Sequence, residues 1–161
     1  MYLARPLNDE HLQSICRLPE NATELLYVSP QFRYPLTPGQ IRESVKNRFE
    51  PTVVVDPANN EVMGYANLYG LDREDASCWL GNVIVSGRQR GKGVASFLLA
   101  AMMDNARAKY AVKKLYLSCH TFNSRGLAFY HKNGFKPFGL KISELSGQKL
   151  ITIQMEKELF T

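Results

Sequence analysis

The sequence predicts an α+β domain: a mixed, mainly antiparallel central sheet with helices on both faces. Three observations carry this. Between Thr52 and Val85, three apolar segments are joined by short turns, the pattern of an antiparallel meander. From Val94 to about Tyr110 the apolar residues recur at helical spacing, and "KKLYLSCH" (Lys113 to His120) follows as a strand. That strand returns through a helical crossover, so it is expected to lie parallel to the one before. The 161 residues suffice for one core and contain no linker-like tract, low-complexity run or internal repeat, so 1–161 reads as one domain.

The elements follow in order. "YLARP" (Tyr2 to Pro6) reads as a short strand. Asp9 is placed to cap a helix with apolar Leu12, Ile15 and Cys16. "NATELLYV" (Asn21 to Val28) is a further short helical segment, and Ser29 to Pro38, with three prolines and two aromatics, is a loop. Thr37 caps "PGQIRESVKNRF", with Pro38 in the first turn, where its missing N–H costs nothing. Ile41, Val45 and Phe49 are expected on its core side, Glu43 and Ser44 on its exposed side. "TVVVD", "VMGYANLYGLD" and "ASCWLGNVIV" are the meander strands. After Lys113 to His120, Asn123 caps a helix that Gly134 ends. "FKPFGLKIS" and "KLITIQMEKEL" close the chain as two strands joined by "ELSGQ".

Composition bounds the function. Hydrophobic residues make up 45% and charged residues 22%, ordinary for a globular chain, and no apolar run approaches the ~20 residues of a membrane span. The N-terminus lacks the basic and apolar blocks of a signal peptide. Cys16, Cys78 and Cys119 are odd in number and in no metal-ligand spacing, so reduced thiols, no zinc site and a cytoplasmic location are expected. The net charge of +5 favours an anionic partner. A nucleic-acid surface would interleave cations with exposed aromatics on one face. Here Arg88, Arg90 and Lys92 crowd one loop instead, so nucleic acid is not the expected partner.

That loop, "SGRQRGKGVAS" (Ser86 to Ser96), joins a strand to a helix and holds three glycines and no acid. Such a unit cradles phosphate, because the first helical turn leaves N–H groups unpaired and glycine lets the anion approach. A Walker A loop needs GxxxxGK[ST], but Gly87 to Gly91-Lys92 is one residue short and Gly93 replaces the hydroxyl residue. A dinucleotide fingerprint needs GxGxxG, but Ser96 holds the last position and the unit sits mid-chain. The pattern [QR]xxGxG is matched in full by Arg88-Gln89-Arg90-Gly91-Lys92-Gly93. A second signature lies about thirty residues on: Asn123, then Gly126 where alanine is more usual, then Phe129-Tyr130, then Gly134-Phe135.

With both signatures the sequence resembles the GNAT superfamily of acyl-CoA-dependent N-acyltransferases, and the resemblance runs through the element order from Tyr2 to about Phe160. It implies a domain that takes acetyl-CoA as co-substrate, without metal, and moves the acetyl group to a primary amine by direct attack in a ternary complex. It implies that Arg88 to Val94, namely Arg88, Gln89, Arg90, Gly91, Lys92, Gly93 and Val94, hold the coenzyme diphosphate with Asn123, and that the main chain of Val83, Ile84 and Val85 pairs with the pantetheine arm. Tyr130 is expected beside the coenzyme sulfur. Since a phenol (pKa about 10) is a weaker acid than a thiol (about 8.5), it assists the leaving thiolate by hydrogen bonding or proton donation.

The family's usual glutamate near the end of the strand before the loop is missing: Asn82 occupies that region. A backbone N–H near Asn82 or Val83 is expected to polarise the carbonyl. His120, Thr121 and Ser118 are left as candidate bases, with a water relay as the other route. Tyr27, Phe32, Tyr34, Asn67, Tyr69 and Thr121 are the expected acceptor-binding residues, with Arg33, Tyr65 and Trp79 in the same region. The acceptor is an amine, on a small molecule or a peptide. The chain is expected to be a monomer or homodimer, and a non-catalytic acyl-CoA-binding sensor of the same fold is the alternative.

Overall fold

The computed structural model describes residues 1–89 and 91–159. Seven strands form one sheet in the order β1-β2-β3-β4-β5-β7-β6: β1 (Leu3–Pro6), β2 (Phe49–Asp56), β3 (Glu61–Asp72), β4 (Ser77–Val85), β5 (Lys114–His120), β6 (Lys136–Leu145) and β7 (Gln148–Glu158). Every neighbouring pair is antiparallel except β4 and β5. The helices are α1 (Leu12–Cys16), α2 (Ala22–Val28), α3 (Pro38–Val45), α4 (Val94–Tyr110) and α5 (Ser124–Lys132).

The period-two alternation of the strands divides the core between the two sheet faces. In β2, Val54 joins one apolar cluster with Leu98, Met102 and Phe135, whereas Val53 and Val55 join another with Ile15, Leu25 and Ile41. So α4 covers one face, and α1, α2 and α3 the other. β3 is buried from Val62 to Leu68, as a central strand covered on both faces should be.

Several boundaries differ from the sequence reading. Asn8, not Asp9, caps the first helical turn, and its side chain accepts from the Glu10 N–H at 3.1 Å. Phe49 does not continue α3. The helix stops at Val45, and Phe49 starts β2, whose register to β3 slips between Phe49 and Thr52 where Glu50 takes φ 50°. Ser44 does not face solvent: it turns inward and donates to Asn82. Asn123 caps α5 through its side chain as expected, and Asn21 caps α2 in the same way.

Two features of β4 shape the site. Its pairing with β3 passes from Tyr65↔Ile84 to Asn67↔Gly81, so β4 spends one extra residue, and Asn82 sits in this bulge with φ 50°. Its parallel pairing with β5 covers only Ser77–Trp79 against Lys114–Tyr116. Beyond Trp79 the two strands part. β5 runs on against β7 as far as His120↔Thr152, leaving the β5-facing main chain of Leu80–Val85 without a ladder partner.

Candidate active site

The fork between β4 and β5 opens into a cleft of about 1240 Å³. Leu80–Val85 form one wall, Leu117–His120 the other, the start of α4 lies at one end, and α2 and α5 close the sides. A second cleft of about 840 Å³ continues from it under the loop after α2, and shares Arg48, Tyr69 and Asn82 with the first. Gln40 ties that loop down: its side chain bonds the N–H of Arg33 and the carbonyls of Arg33 and Pro35.

The loop before α4 has the features of an anion cradle. Gly91 and Gly93 take φ of 78° and 84°, and around the Cβ position of either one there is open space. No side chain caps the first turn of the 17-residue α4, so its N–H groups and dipole face the cleft. The Tyr2 hydroxyl donates to the Lys92 carbonyl at 2.6 Å and pins the loop to the sheet edge. Arg88 and Lys92 are exposed beside it, Gln89 ends a 3-10 turn, and Arg90 lies outside the described residues. These residues fit a diphosphate bound through backbone amides.

Asn123 lies on the opposite wall, and its Oδ1 accepts from the Gly126 N–H at 3.0 Å. A methyl group at residue 126 would meet this Asn123 amide, so glycine stands there because the cap is folded tightly over it.

Tyr130 also lines the cleft, with its ring against Phe129 and Phe135. Its hydroxyl has no hydrogen-bond partner among the described residues. Burial, and secondarily the neighbouring Cys119, push the phenol well above the usual tyrosine value. Cys119 itself is pushed up to about 11 by burial, so both groups keep their protons at neutral pH.

His120 ends β5, with Tyr27 and Phe122 rings 5.3 and 5.6 Å from its own. Its Nδ1 accepts from the Phe122 N–H at 3.2 Å, so the neutral ring carries its proton on Nε2. That atom is buried and has no partner among the described residues. Burial lowers the His120 pKa and so favours this neutral form. In this arrangement His120 lines the cleft while its Nε2–H donor is buried in the wall. Its lone pair is engaged with the backbone, and a base role would require giving up that bond.

Around Asn82 a chain of bonds fixes every orientation. Arg48 can only donate, and its Nη1 reaches Asn67 Oδ1 at 3.0 Å. Asn67 must therefore turn its Nδ2 the other way, to Tyr65 Oη and Asn82 Oδ1, both at 2.9 Å. Asn82 Oδ1 also accepts from Ser44 Oγ at 2.9 Å. Its oxygen is thereby spent, and its NH2 is the part left to the cleft. Asn82 is thus oriented as a donor toward the cleft.

The structure gathers Tyr27, Tyr69, Asn82, Val83, Ile84, Val85, Asn123 and Tyr130 around the main cleft, and Phe32 around the second. Asn67 is fully buried and acts beneath the cleft wall, not on it. Tyr34 is exposed, its hydroxyl 3.4 Å from the Glu20 carbonyl, and lies outside both linings. Thr121 is likewise outside them, its N–H donating to Ile151. Sequence reasoning missed Arg48 and misplaced Ser44. One signal for Arg48 was available: a glycine inside a strand, Gly81, marks a close approach. Here a methyl at 81 would meet the Arg48 guanidinium and the Tyr69 ring.

Comparison with known proteins gives the family and the fold. The family model described as acetyltransferase (GNAT) family matches residues 14–135. A spermine/spermidine N(1)-acetyltransferase of Bacillus subtilis (strain 168) is 28% identical over 82 residues, covering 47% of this chain and 53% of that protein. A probable spermine N(1)-acetyltransferase of Bacillus subtilis subsp. natto is 27% identical with the same coverage. The chain thus spans about half the length of the curated relatives it matches. A solved spermidine N-acetyltransferase from Vibrio cholerae, in complex with CoA and spermine, superposes with TM-score 0.79 at 21% identity, over 98% of this chain and 95% of that one. A putative phosphinothricin N-acetyltransferase superposes with TM-score 0.76 at 21% identity over the whole of both chains. At such identities the likeness establishes the fold.

Proposed function

The chain belongs to the acetyltransferase (GNAT) family, and from that premise we propose that it is an N-acetyltransferase that moves the acetyl group of acetyl-CoA to a small-molecule amine in a ternary complex. One observation carries the reading: the uncapped start of α4, with its two left-handed glycines, and the open β4/β5 fork with Tyr130 face the same cleft. A cradle for a diphosphate and a slot for an extended amide-bearing arm thus lie end to end.

The coenzyme supplies an acetyl carbonyl activated as a thioester. The chain's residues do the rest. The amides of Gly91–Val94 hold the diphosphate, and the β5-facing main chain of Val83–Val85, which has no ladder partner among the described residues, pairs with the pantetheine arm. The Asn82 NH2 and the neighbouring N–H groups are donors for charge that develops on the carbonyl oxygen. The Tyr130 hydroxyl, protonated and without a hydrogen-bond partner among the described residues, donates to the sulfur as the C–S bond breaks. The new bond joins the amine nitrogen to the carbonyl carbon, and the ammonium proton leaves to water. With Asn82 turned to donate and the His120 Nδ1 lone pair engaged by the Phe122 N–H, no enzyme base is assigned, and the rate should follow the fraction of neutral amine.

Thiol release from acetyl-CoA, followed with a panel of primary amines, tests this. Release that depends on the amine and rises with pH toward the amine's own pKa is the expected result. Coenzyme binding with no release from any amine would replace this reading with that of a binding sensor.

A further inference from the structure

The acceptor end of the cleft contains a cation with no counter-charge among the described residues. Arg48 lines both clefts, is half-buried, and pairs with no carboxylate among the described residues. It is held from three sides. Its Nη1 is bound to Asn67 Oδ1, its Cζ sits 4.2 Å from the Tyr69 ring centroid, and the absence of a side chain at Gly81 lets the guanidinium lie against β4. One of its five N–H donors is used in this network. A guanidinium so fixed beside the bulge at Asn82, and only partly desolvated, is arranged to receive two oxygens.

The surrounding charge points the same way. In the main cleft the described lining includes the cations Arg48, Arg125, Lys132 and Lys141 against one acid, Glu24, whose carboxylate accepts from the Glu20 N–H. In the second cleft Glu43 pairs with Lys46 at 2.9 Å, while Arg33 and Arg48 line the same space. A polycationic acceptor would meet like charge here.

Resting on the N-acetyltransferase reading, we infer that the acceptor amine carries its own carboxylate, as an amino acid does, and that Arg48 is the specificity residue that binds it. The carboxylate takes the free N–H groups of Arg48, and this anchors the amine at the fork beside Asn82.

Matched pairs test the inference. Phenylalanine against phenethylamine, tyrosine against tyramine, ornithine against putrescine and lysine against cadaverine differ by the carboxylate alone. Spermidine is the polycationic control. Two readouts are taken: kcat/KM by thiol release, and ligand-induced thermal shift with coenzyme A present. For at least one pair the carboxylate member should exceed its decarboxylated partner by tenfold or more in kcat/KM, and it alone should raise the melting temperature. Arg48→Gln should bring that ratio near one. Gly81→Ala, which keeps the arginine and displaces it, should do the same, so the inference does not depend on one variant folding. Preference for the decarboxylated members or for spermidine overturns the inference and leaves the acetyltransferase reading intact. An equal loss on both members in both variants also overturns it, since Arg48 would then only hold the wall. If nothing releases thiol, an Arg48-dependent thermal shift by an amino acid sustains the carboxylate site while the catalytic reading fails. The absence of that shift ends both.

Discussion

Tyr130→Phe separates a catalytic hydroxyl from a structural one. The structure fixes two magnitudes. The hydroxyl has no hydrogen-bond partner among the described residues, so its removal breaks no hydrogen bond among them. The ring contacts with Phe129 and Phe135, centroids 5.3 and 5.7 Å away, are made by carbon and survive the change. Unfolding free energy should therefore stay within about 0.5 kcal/mol of the parent. Turnover should not. Loss of one donor to developing charge in a closed site costs on the order of 10²–10³ in kcat, or about 2.7–4 kcal/mol of barrier. Because burial holds the phenol far above neutral pH, it is a protonated donor throughout the working range, so the pH profile should keep its shape and only fall in height. The assay is thiol release at saturating coenzyme and amine, beside urea unfolding and calorimetric coenzyme affinity. A drop in kcat of less than about tenfold, or a fall matched by an equal loss of stability, would refute the reasoning.

Three further outcomes follow from the same geometry. Asn67→Leu strands the buried Tyr65 hydroxyl, at about 1–3 kcal/mol, and the Arg48 bond, at about 1.5–3 kcal/mol. After the added apolar burial is set against this, urea unfolding should show a loss of about 3 kcal/mol, or ~6–12 °C in melting temperature. Gly93→Ala keeps its space, since nothing lies within 4 Å of the new methyl, but forces a φ of 84° on a residue with a Cβ at about 1–2 kcal/mol. Coenzyme A affinity by calorimetry should fall by up to about tenfold, with the acceptor's own binding little changed. For His120, burial lowers the folded pKa, so below about 6.5 the unfolded chain binds a proton that the folded chain does not. Stability should fall as pH drops from ~7 toward ~5, and His120→Gln should flatten that part of the curve while its amide retains a donor for turnover.

The sequence made the element order and the coenzyme end of the site legible for physical reasons. Alternating and helical periods recur over whole elements, and the phosphate loop is local: Gly91, Gly93 and the helix start are contiguous, so spacing alone carries their geometry. Asn123 could be read as a cap for the same reason. The acceptor end was not legible because it is assembled from distance. Arg48 follows α3, yet it reaches Asn67 on β3 and Gly81 on β4. Ser44 lies three residues after the buried Ile41, so its inward direction was legible from helical spacing, but its partner Asn82 lies 38 residues away on β4. Likewise, Asn67 looks like a strand residue pointing at a ligand. Only the 0% exposure and the bonds to Tyr65 and Asn82 show that it is the fulcrum under the wall.

The departure at Asn82 and the unpaired Arg48 have one origin. An acid at residue 82 would need donors around its oxygens, and Asn67 and Ser44 supply two, but it would also stand in the same network as Arg48. A carboxylate there would neutralise the guanidinium through Asn67 and by direct attraction, closing the cation to any ligand. With a neutral amide at 82 the orientation is still fixed, since Arg48 sets Asn67 and Asn67 sets Asn82, while the positive charge stays uncompensated. On the proposed reading, the site would then forgo a carboxylate base at residue 82 and keep a cation for the acceptor. An acceptor that carries its own carboxylate would complete the charge balance only when bound, so on the proposed reading the full electrostatic set would exist in the complex with acceptor and not in the free protein. That coupling would make the acceptor's anionic group, more than the shape of its side chain, the feature that decides which amines are acetylated.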